Sequence, residues 1–184
     1  SRLCKSDDIV IPCSSGGAFT VMMQTFEQKA GQLLVTNKAL ASMGYGLAGA
    51  IGASIANPDR RTILVEGDGG FAQNLQEIGT AAINKLNLKI FIFDDSGYAS
   101  IRMTQRSYFG GRYVGCDTTT GLGLPNWERL FAAWEVPVHR INREYQISQE
   151  FLAAFNGHGI QAFIVSIDPE QTYFPKITSR ITET

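Results

Sequence analysis

Cysteine is scarce, with Cys4, Cys13 and Cys116 an odd set of three in 184 residues and no Cys-x-x-Cys spacing among them. That speaks against a zinc ribbon and a disulfide scaffold and reads as reduced thiols in a cytosolic protein. Histidine is scarcer still. His139 and His158 are the only two, neither has plausible metal partners nearby, and both read as structural or solvent-exposed. Excess charge of one sign is missing too, the formal net charge being −1, so nothing points to nucleic acid or an anionic membrane. The polar stretch Ser1–Asp8 has no apolar h-region, so it is no signal peptide. The uncharged stretch Ala39–Ala56 approaches the roughly 18 residues a membrane span needs. It is mostly Gly, Ala and Ser, which fits a small-residue helix packed in a soluble core. The chain opens on Ser1 rather than Met, as expected of a piece cut from a longer protein.

What is present is ordinary for one globular domain over residues 1–184, with 44% apolar and 18% charged residues. Short apolar, β-branched runs alternate with helix-like segments. Strands are expected at Ile9–Pro12, Gln32–Thr36, Arg61–Glu66, Leu88–Phe93, Val138–Ile141 and Ala162–Ile167. Helices are expected at Ala18–Lys29, Ser42–Ala56, Phe71–Lys85, Tyr98–Arg106, Asn126–Trp134 and Ser148–Phe155, with a long loop at Gly110–Pro125. This alternation implies parallel βαβ units. Runs such as Lys89-Ile90-Phe91-Ile92-Phe93 imply a sheet covered on both faces. The expected fold is therefore three-layer, doubly wound α/β, with about six mainly parallel strands and helices on both faces.

In such a sheet, ligands sit beyond the carboxyl ends of the strands. Two of those ends carry acids: Asp68 in Gly67-Asp68-Gly69-Gly70, and Asp94-Asp95 before Ser96-Gly97. Hard carboxylate oxygens on neighbouring loops suit Mg²⁺, which takes one or two carboxylates plus ligand phosphates. Gly69 and Gly70, without Cβ atoms, let backbone N–H groups approach a phosphate. A helix starting at Phe71 would add its dipole. Taken singly, each motif also reads as a plain turn, Asp68 as an N-cap and Asp94-Asp95-Ser96-Gly97 as a loop. The pair, each member at a strand end, is the informative feature.

These residues resemble the thiamine-diphosphate fingerprint, Gly-Asp-Gly followed by a polar pair that ends the next strand. The run Ser42-Met43-Gly44-Tyr45-Gly46-Leu47-Ala48-Gly49-Ala50-Ile51-Gly52-Ala53 resembles the acetolactate synthase segment before the metal loop. Phe71-Ala72-Gln73-Asn74-Leu75-Gln76-Glu77-Ile78 resembles the helix after it. Almost the whole chain is similar to that family's cofactor, or pyrophosphate, domain. The resemblance implies that Asp68, Asp95 and the Gly97 carbonyl hold Mg²⁺. It implies that Gly69 and Gly70 donate N–H groups to the diphosphate of thiamine diphosphate, with Gly16 and Gly17 nearby. Met43 would hold the cofactor bent, and Ala41 would offer its carbonyl to the aminopyrimidine. The helix from Tyr98 would face the reacting end, with Tyr98 at the cofactor. The implied activity is decarboxylation or carboligation of a 2-oxo acid by a homodimer or homotetramer in the cytoplasm. The activating glutamate belongs to a pyrimidine-binding domain of the same or a neighbouring subunit, so this chain carries no catalytic residue of its own.

Three features depart from the family. Asp94-Asp95 stands where Asn-Asn is usual. Gly16-Gly17-Ala18-Phe19 lacks the Gln and His often found there. The pyrimidine-binding domain has no counterpart here. Two rival readings stay open. Gly44-Tyr45-Gly46-Leu47-Ala48-Gly49 satisfies the dinucleotide pattern G-x-G-x-x-G, with Glu66 as a ribose-binding acid. The metal site could also be a relic in a non-catalytic protein. Arg102 reads either as a contact for a substrate carboxylate or as a solvent-facing helix arginine. Trp127 and Trp134 read as core or interface, and Gly110–Pro125 as a lid or a plain connection.

Overall fold

Apolar runs become the strands β1 (Ile9–Ile11), β2 (Leu33–Leu34), β3 (Thr62–Gly67), β4 (Leu88–Asp94), β5 (Val138–Ile141) and β6 (Gln161–Ser166). They are buried along most of their length in β1, β3 and β4 and part-exposed at the edge strands β2 and β5. The computed structural model describes residues 1–13, 15–143 and 147–174. The six strands form one sheet in the order β2-β1-β3-β4-β6-β5, every neighbouring pair parallel. Parallel pairing requires crossovers. These carry helices α1 (Gly16–Thr25), α2 (Tyr45–Ala56), α3 (Asp68–Phe71), α4 (Ile78–Ile83), α5 (Ala99–Tyr108), α6 (Trp127–Ala132) and α7 (Gln149–Asn156).

Side chains alternate along each strand, and that alternation builds the layers. Leu64, Ile90, Ile92, Ala162 and Ile164 share one core with Leu47 and Ile51 of α2, Ile78 of α4 and Phe131 of α6. On the opposite face Ile63 and Phe163 meet Phe151 and Phe155 of α7. Val65 there meets Ala18 of α1, with Met22 packed alongside. The expected three-layer parallel architecture is the observed one.

From β1 the chain winds outward to β2, then returns past β1 to β3 and continues to β4. Winding reverses between β1 and β3, and open α/β sheets bind ligands in the crevice at such a point.

One expected element is broken. Phe71–Lys85 is not one helix. It is the end of α3, a 3-10 stretch at Ala72–Glu77, then α4, with Asn74 at non-helical φ −145°, ψ 28°. Tertiary contact accounts for the kink: Asn74 Nδ2 donates to the Gly44 carbonyl at 3.3 Å, and a Cβ on Gly44 would lie 3.3 Å from Asn74 Cβ. The expected helix Ser42–Ala56 begins only at Tyr45, after Gly44 at φ +83°. Among the described residues no helix is long and apolar enough to cross a membrane. His139 is structural, its ring stacked on Phe163 and its Nε2 3.0 Å from Gln161 Oε1, whereas His158 is exposed. Trp127 is buried in the core, while Trp134 lies past the end of α6, part-exposed and packed over Gly79.

Candidate functional site

At the reversal point lies a cavity of about 310 Å³, built by the segments after β1, β2, β3, β4 and β6. Gly16, Gly17, Ala41, Met43, Asp68, Gly69, Gly70, Asp95, Gly97 and Tyr98 all line it. The sheet explains why residues so far apart in sequence meet. Parallel strands bring all their carboxyl ends to one edge, and the β3–β4 register pairs Gly67 with Phe93.

Asp68 is the best-fixed acid. It is 1% exposed, its Oδ1 accepts the Gly69 N–H at 2.7 Å, and its Oδ2 accepts the Gly97 N–H at 3.0 Å. Burial, then the Asp95 charge, pushes its carboxyl up to about 8. Asp95 is raised to about 6, by burial first, with Arg102 opposing. Cations favour ionised carboxylates, so a divalent ion here would reverse both shifts. Among the described residues no three His, Cys, Asp or Glu side chains cluster as a metal cage. An ion would therefore rest on two carboxylates, backbone and ligand oxygens, the pattern magnesium tolerates.

Of the adjacent pair, only Asp95 faces the cavity. Asp94 turns to Arg140 Nη1 at 3.4 Å, and Arg140 Nη2 also pairs with Glu128 at 2.6 Å. Successive residues at a strand end point to opposite sides. Arg102 fits neither open reading. It is buried and absent from the cavity wall, with Nη2 3.2 Å from Asp95 Oδ1 and Nη1 3.5 Å from Asp117 Oδ2.

The glycines are required by contact. A Cβ on Gly69 would run into the Tyr98 ring, and one on Gly97 into the Cys116 carbonyl. On Gly70 it would lie 2.5 Å from Glu66 Oε1. Nothing lies within 4 Å of where a Gly16 Cβ would be, and Gly16 sits at φ +76°. Two expectations need correction. The Gly69 N–H is already given to Asp68, so it is not free for a phosphate. The helix at this loop is the four-residue α3, so its dipole is that of about one turn. The Gly97 carbonyl is spared by the antiparallel bridge to Asp117, which uses the Tyr98 N–H to the Cys116 carbonyl at 2.7 Å and the Thr118 N–H to the Ser96 carbonyl at 3.3 Å. Those bonds also anchor the Gly110–Pro125 loop beside the cavity. Tyr98 is set by its hydroxyl, which accepts from Gln73 Nε2 at 2.9 Å.

The dinucleotide-like glycines serve packing. A Cβ on Gly46 would collide with the Glu66 carboxylate, and one on Gly49 would lie 3.0 Å from the Tyr45 ring. Glu66, raised to about 7 by burial, was visible in the sequence as a charge inside an apolar strand. Four further wall residues carry no local signal: Ser100, and Asp168, Gln171 and Tyr173 from the segment after β6. That segment folds back far enough for a Gly17 Cβ to lie 2.5 Å from Tyr173 Oη.

A family model for the C-terminal TPP-binding domain of thiamine pyrophosphate enzymes matches residues 15–165. The chain is similar to the acetolactate synthase isozyme 2 large subunit of Escherichia coli strain K12, 32% identical over 143 residues, which cover 78% of this chain and 26% of that one. It is 27% identical to the isozyme 1 large subunit of the same strain over 174 residues, 95% of this chain and 30% of that one. A probable acetolactate synthase large subunit of Methanococcus aeolicus is 30% identical over 148 residues, 80% of this chain and 24% of that one. The chain thus spans between 24% and 30% of the length of these three relatives.

Proposed function

The chain belongs to the thiamine pyrophosphate enzyme family, as its C-terminal cofactor-binding domain, and from that premise we propose that the cavity binds thiamine diphosphate through Mg²⁺ in an acetolactate-synthase-like enzyme acting on a 2-oxo acid. The observation that carries this reading is the convergence of two acids and a set of Cβ-intolerant glycines on one cavity at the winding reversal. The residues fit the group. Asp68 and Asp95 are hard oxygen donors for Mg²⁺, and Gly16, with nothing within 4 Å of where its Cβ would be, leaves room for a diphosphate close to the backbone.

When bound, thiamine diphosphate supplies the electron sink for making or breaking a carbon–carbon bond beside a 2-oxo acid carbonyl. This chain's residues bind and orient. Asp68 and Asp95 hold the cation, with the Gly97 carbonyl as a further donor. The backbone of Gly16, Gly17 and Gly70 approaches the diphosphate. Met43 props the cofactor and Ala41 offers its carbonyl, while Tyr98, stacked over Gly69, walls the reacting end. The proton-activating glutamate comes from a pyrimidine-binding domain of the same or a neighbouring subunit. Exposed apolar side chains at the mouth support such a cover: Met43 and Ile101 line the cavity yet remain 40% and 42% exposed. A homodimer or homotetramer in the cytoplasm is the assembly we propose, consistent with Cys4, Cys13 and Cys116 forming no disulfide among the described residues.

Thermal unfolding of the full-length protein tests this, with thiamine diphosphate and Mg²⁺ together and each alone. Ligand at about 100 times its Kd adds about 2.7 kcal/mol, a rise of several degrees at roughly 2–4 °C per kcal/mol. The rise should need both components and disappear in Asp68→Ala. A rise with NAD instead would favour the dinucleotide reading. Cofactor binding without turnover of any 2-oxo acid would favour a non-catalytic relic.

A further inference from the structure

Resting on that reading, we infer that Arg102 is a positioning residue that holds one oxygen of Asp95 and offsets its charge, so that Asp95 meets the cation through its single remaining oxygen. Three acids, Asp68, Asp94 and Asp95, crowd the sheet edge where an anionic diphosphate is to sit. Asp94 is balanced by Arg140 on the outside. Among the described residues Asp95 is balanced from within α5, by Arg102, which is 5% exposed. Its Nη2 lies 3.2 Å from Asp95 Oδ1 and 3.5 Å from the Asp95 backbone carbonyl.

An asparagine amide presents one oxygen on one side and N–H groups on the other. A carboxylate with one oxygen held by a guanidinium presents a similar pattern, one remaining oxygen with its charge partly offset, the guanidinium being shared with Asp117. The geometry thus ties Asp at position 95 to Arg at position 102. The fork is held at its other tip, Nη1 lying 3.5 Å from Asp117 Oδ2. Asp117 is itself fixed, its Oδ1 accepting the Thr119 N–H at 3.0 Å and the Thr120 N–H at 2.9 Å. It also bridges Gly97 across the loop. Arg102 Nε has no hydrogen-bond partner among the described residues, so the side chain leaves one donor unsatisfied while both Nη groups reach acids.

The test is a double-mutant cycle on the full-length protein, reading the affinity for thiamine diphosphate at fixed Mg²⁺ by calorimetric titration. Arg102→Met should weaken binding about tenfold, within the coupling range of charged groups in contact. Adding Asp95→Asn to Arg102→Met should bring affinity back to within about threefold of the wild type, because the uncompensated charge is then gone. Melting of the ligand-free variants shows whether each is folded, and Arg102→Gln takes the place of Arg102→Met if that variant is not. The inference is overturned if the Arg102 variant binds like wild type, or if the double variant stays as weak as the single one. In either case wild-type binding that is lost in Asp68→Ala would leave the cofactor reading standing. Wild type that does not bind at all sinks both.

Discussion

Asp68 is gripped from two sides, by the amide next to it and by the Gly97 amide across the gap to the β4 loop. That grip fixes the carboxylate before any ligand arrives, at the cost of burying it. Gly97 is the complementary element, since the atom a Cβ would strike is the Cys116 backbone carbonyl, which cannot swing aside. Gly97→Ala is expected to cost about 1–3 kcal/mol, the usual range for overpacking, visible as a lower melting temperature, and to weaken cofactor binding by moving the Asp68 contact. The raised carboxyls set a pH dependence. Glu66, Asp68 and Asp95 titrate near 7, 8 and 6 in the folded chain, each above its ordinary value. The folded state therefore holds protons that the unfolded state has released. That contribution to stability is full below the ordinary carboxyl range and is lost as pH rises through those values. Ligand-free protein should melt progressively lower from pH 5 to 8, and thiamine diphosphate with Mg²⁺ should flatten the trend. An equally steep trend with ligand would count against Asp68 and Asp95 as cation ligands.

Elements place these residues by how they start and stop. The segment after β3 opens as α3 directly at Asp68, so the acid is fixed at the first turn, and then breaks at Asn74 to reach the Gly44 carbonyl. That hydrogen bond links the segment after Asp68 to the start of α2, next to Ala41 and Met43. Asn74→Ala should cost about 1 kcal/mol, as for one net hydrogen bond, and should weaken cofactor binding by loosening that corner. A cap far from the cavity provides the contrast. Ser148 accepts the Phe151 N–H at 3.2 Å at the start of α7. Ser148→Ala should cost about 1 kcal/mol as a lost N-cap and leave cofactor affinity unchanged. Calorimetry on both variants separates the two roles.

Across the whole molecule, the sheet has a chemical edge and a structural edge. At the edge opposite the cavity, Arg61 at the start of β3 donates to Asp8 before β1, at 2.9 and 2.6 Å, and to the Phe155 carbonyl of α7 at 2.8 Å. Its guanidinium also lies 4.1 Å over the Phe155 ring. This buried pair ties two strands to the helix behind them. Removing one partner strands the other, so Arg61→Met should cost about 3–5 kcal/mol, read as a lower denaturant midpoint. Lys89 at the same edge is buried against the Gly159 carbonyl and lowered to about 8 by desolvation. Its stabilising contribution is full above the ordinary lysine range and is lost as pH falls through about 8. With the carboxyls acting below pH 8 and Lys89 above it, ligand-free stability should pass through a minimum near that pH. Lys89→Met should remove the alkaline rise.

Much of this was legible along the chain, because near-continuous apolar runs separated by helical segments admit few arrangements other than a covered parallel sheet. Such a sheet brings every strand's carboxyl end to one edge, so Asp68, the Asp94-Asp95 pair and their glycines could be assigned to one edge before any contact was known. The Gly-rich stretch at Ala39–Ala56 was readable as a packed helix only in its part from Tyr45 onward, where the helix forms. Tertiary structure alone decided the rest. Only the position of α5 shows that Arg102 turns inward to Asp95 and Asp117, since a helix arginine carries no local sign of which partner it meets. The sequence presents Asp94 and Asp95 as equals, and the geometry at the end of β4 sends one to Arg140 and the other to the cavity. The break at Asn74 comes from a neighbour distant in sequence overriding good helical periodicity. Tyr173 reaches the wall because the chain folds back past Gly17. Pattern along the chain fixes which faces are buried. Which buried groups meet depends on contacts between segments far apart in the chain, and those exist only once the sheet has formed.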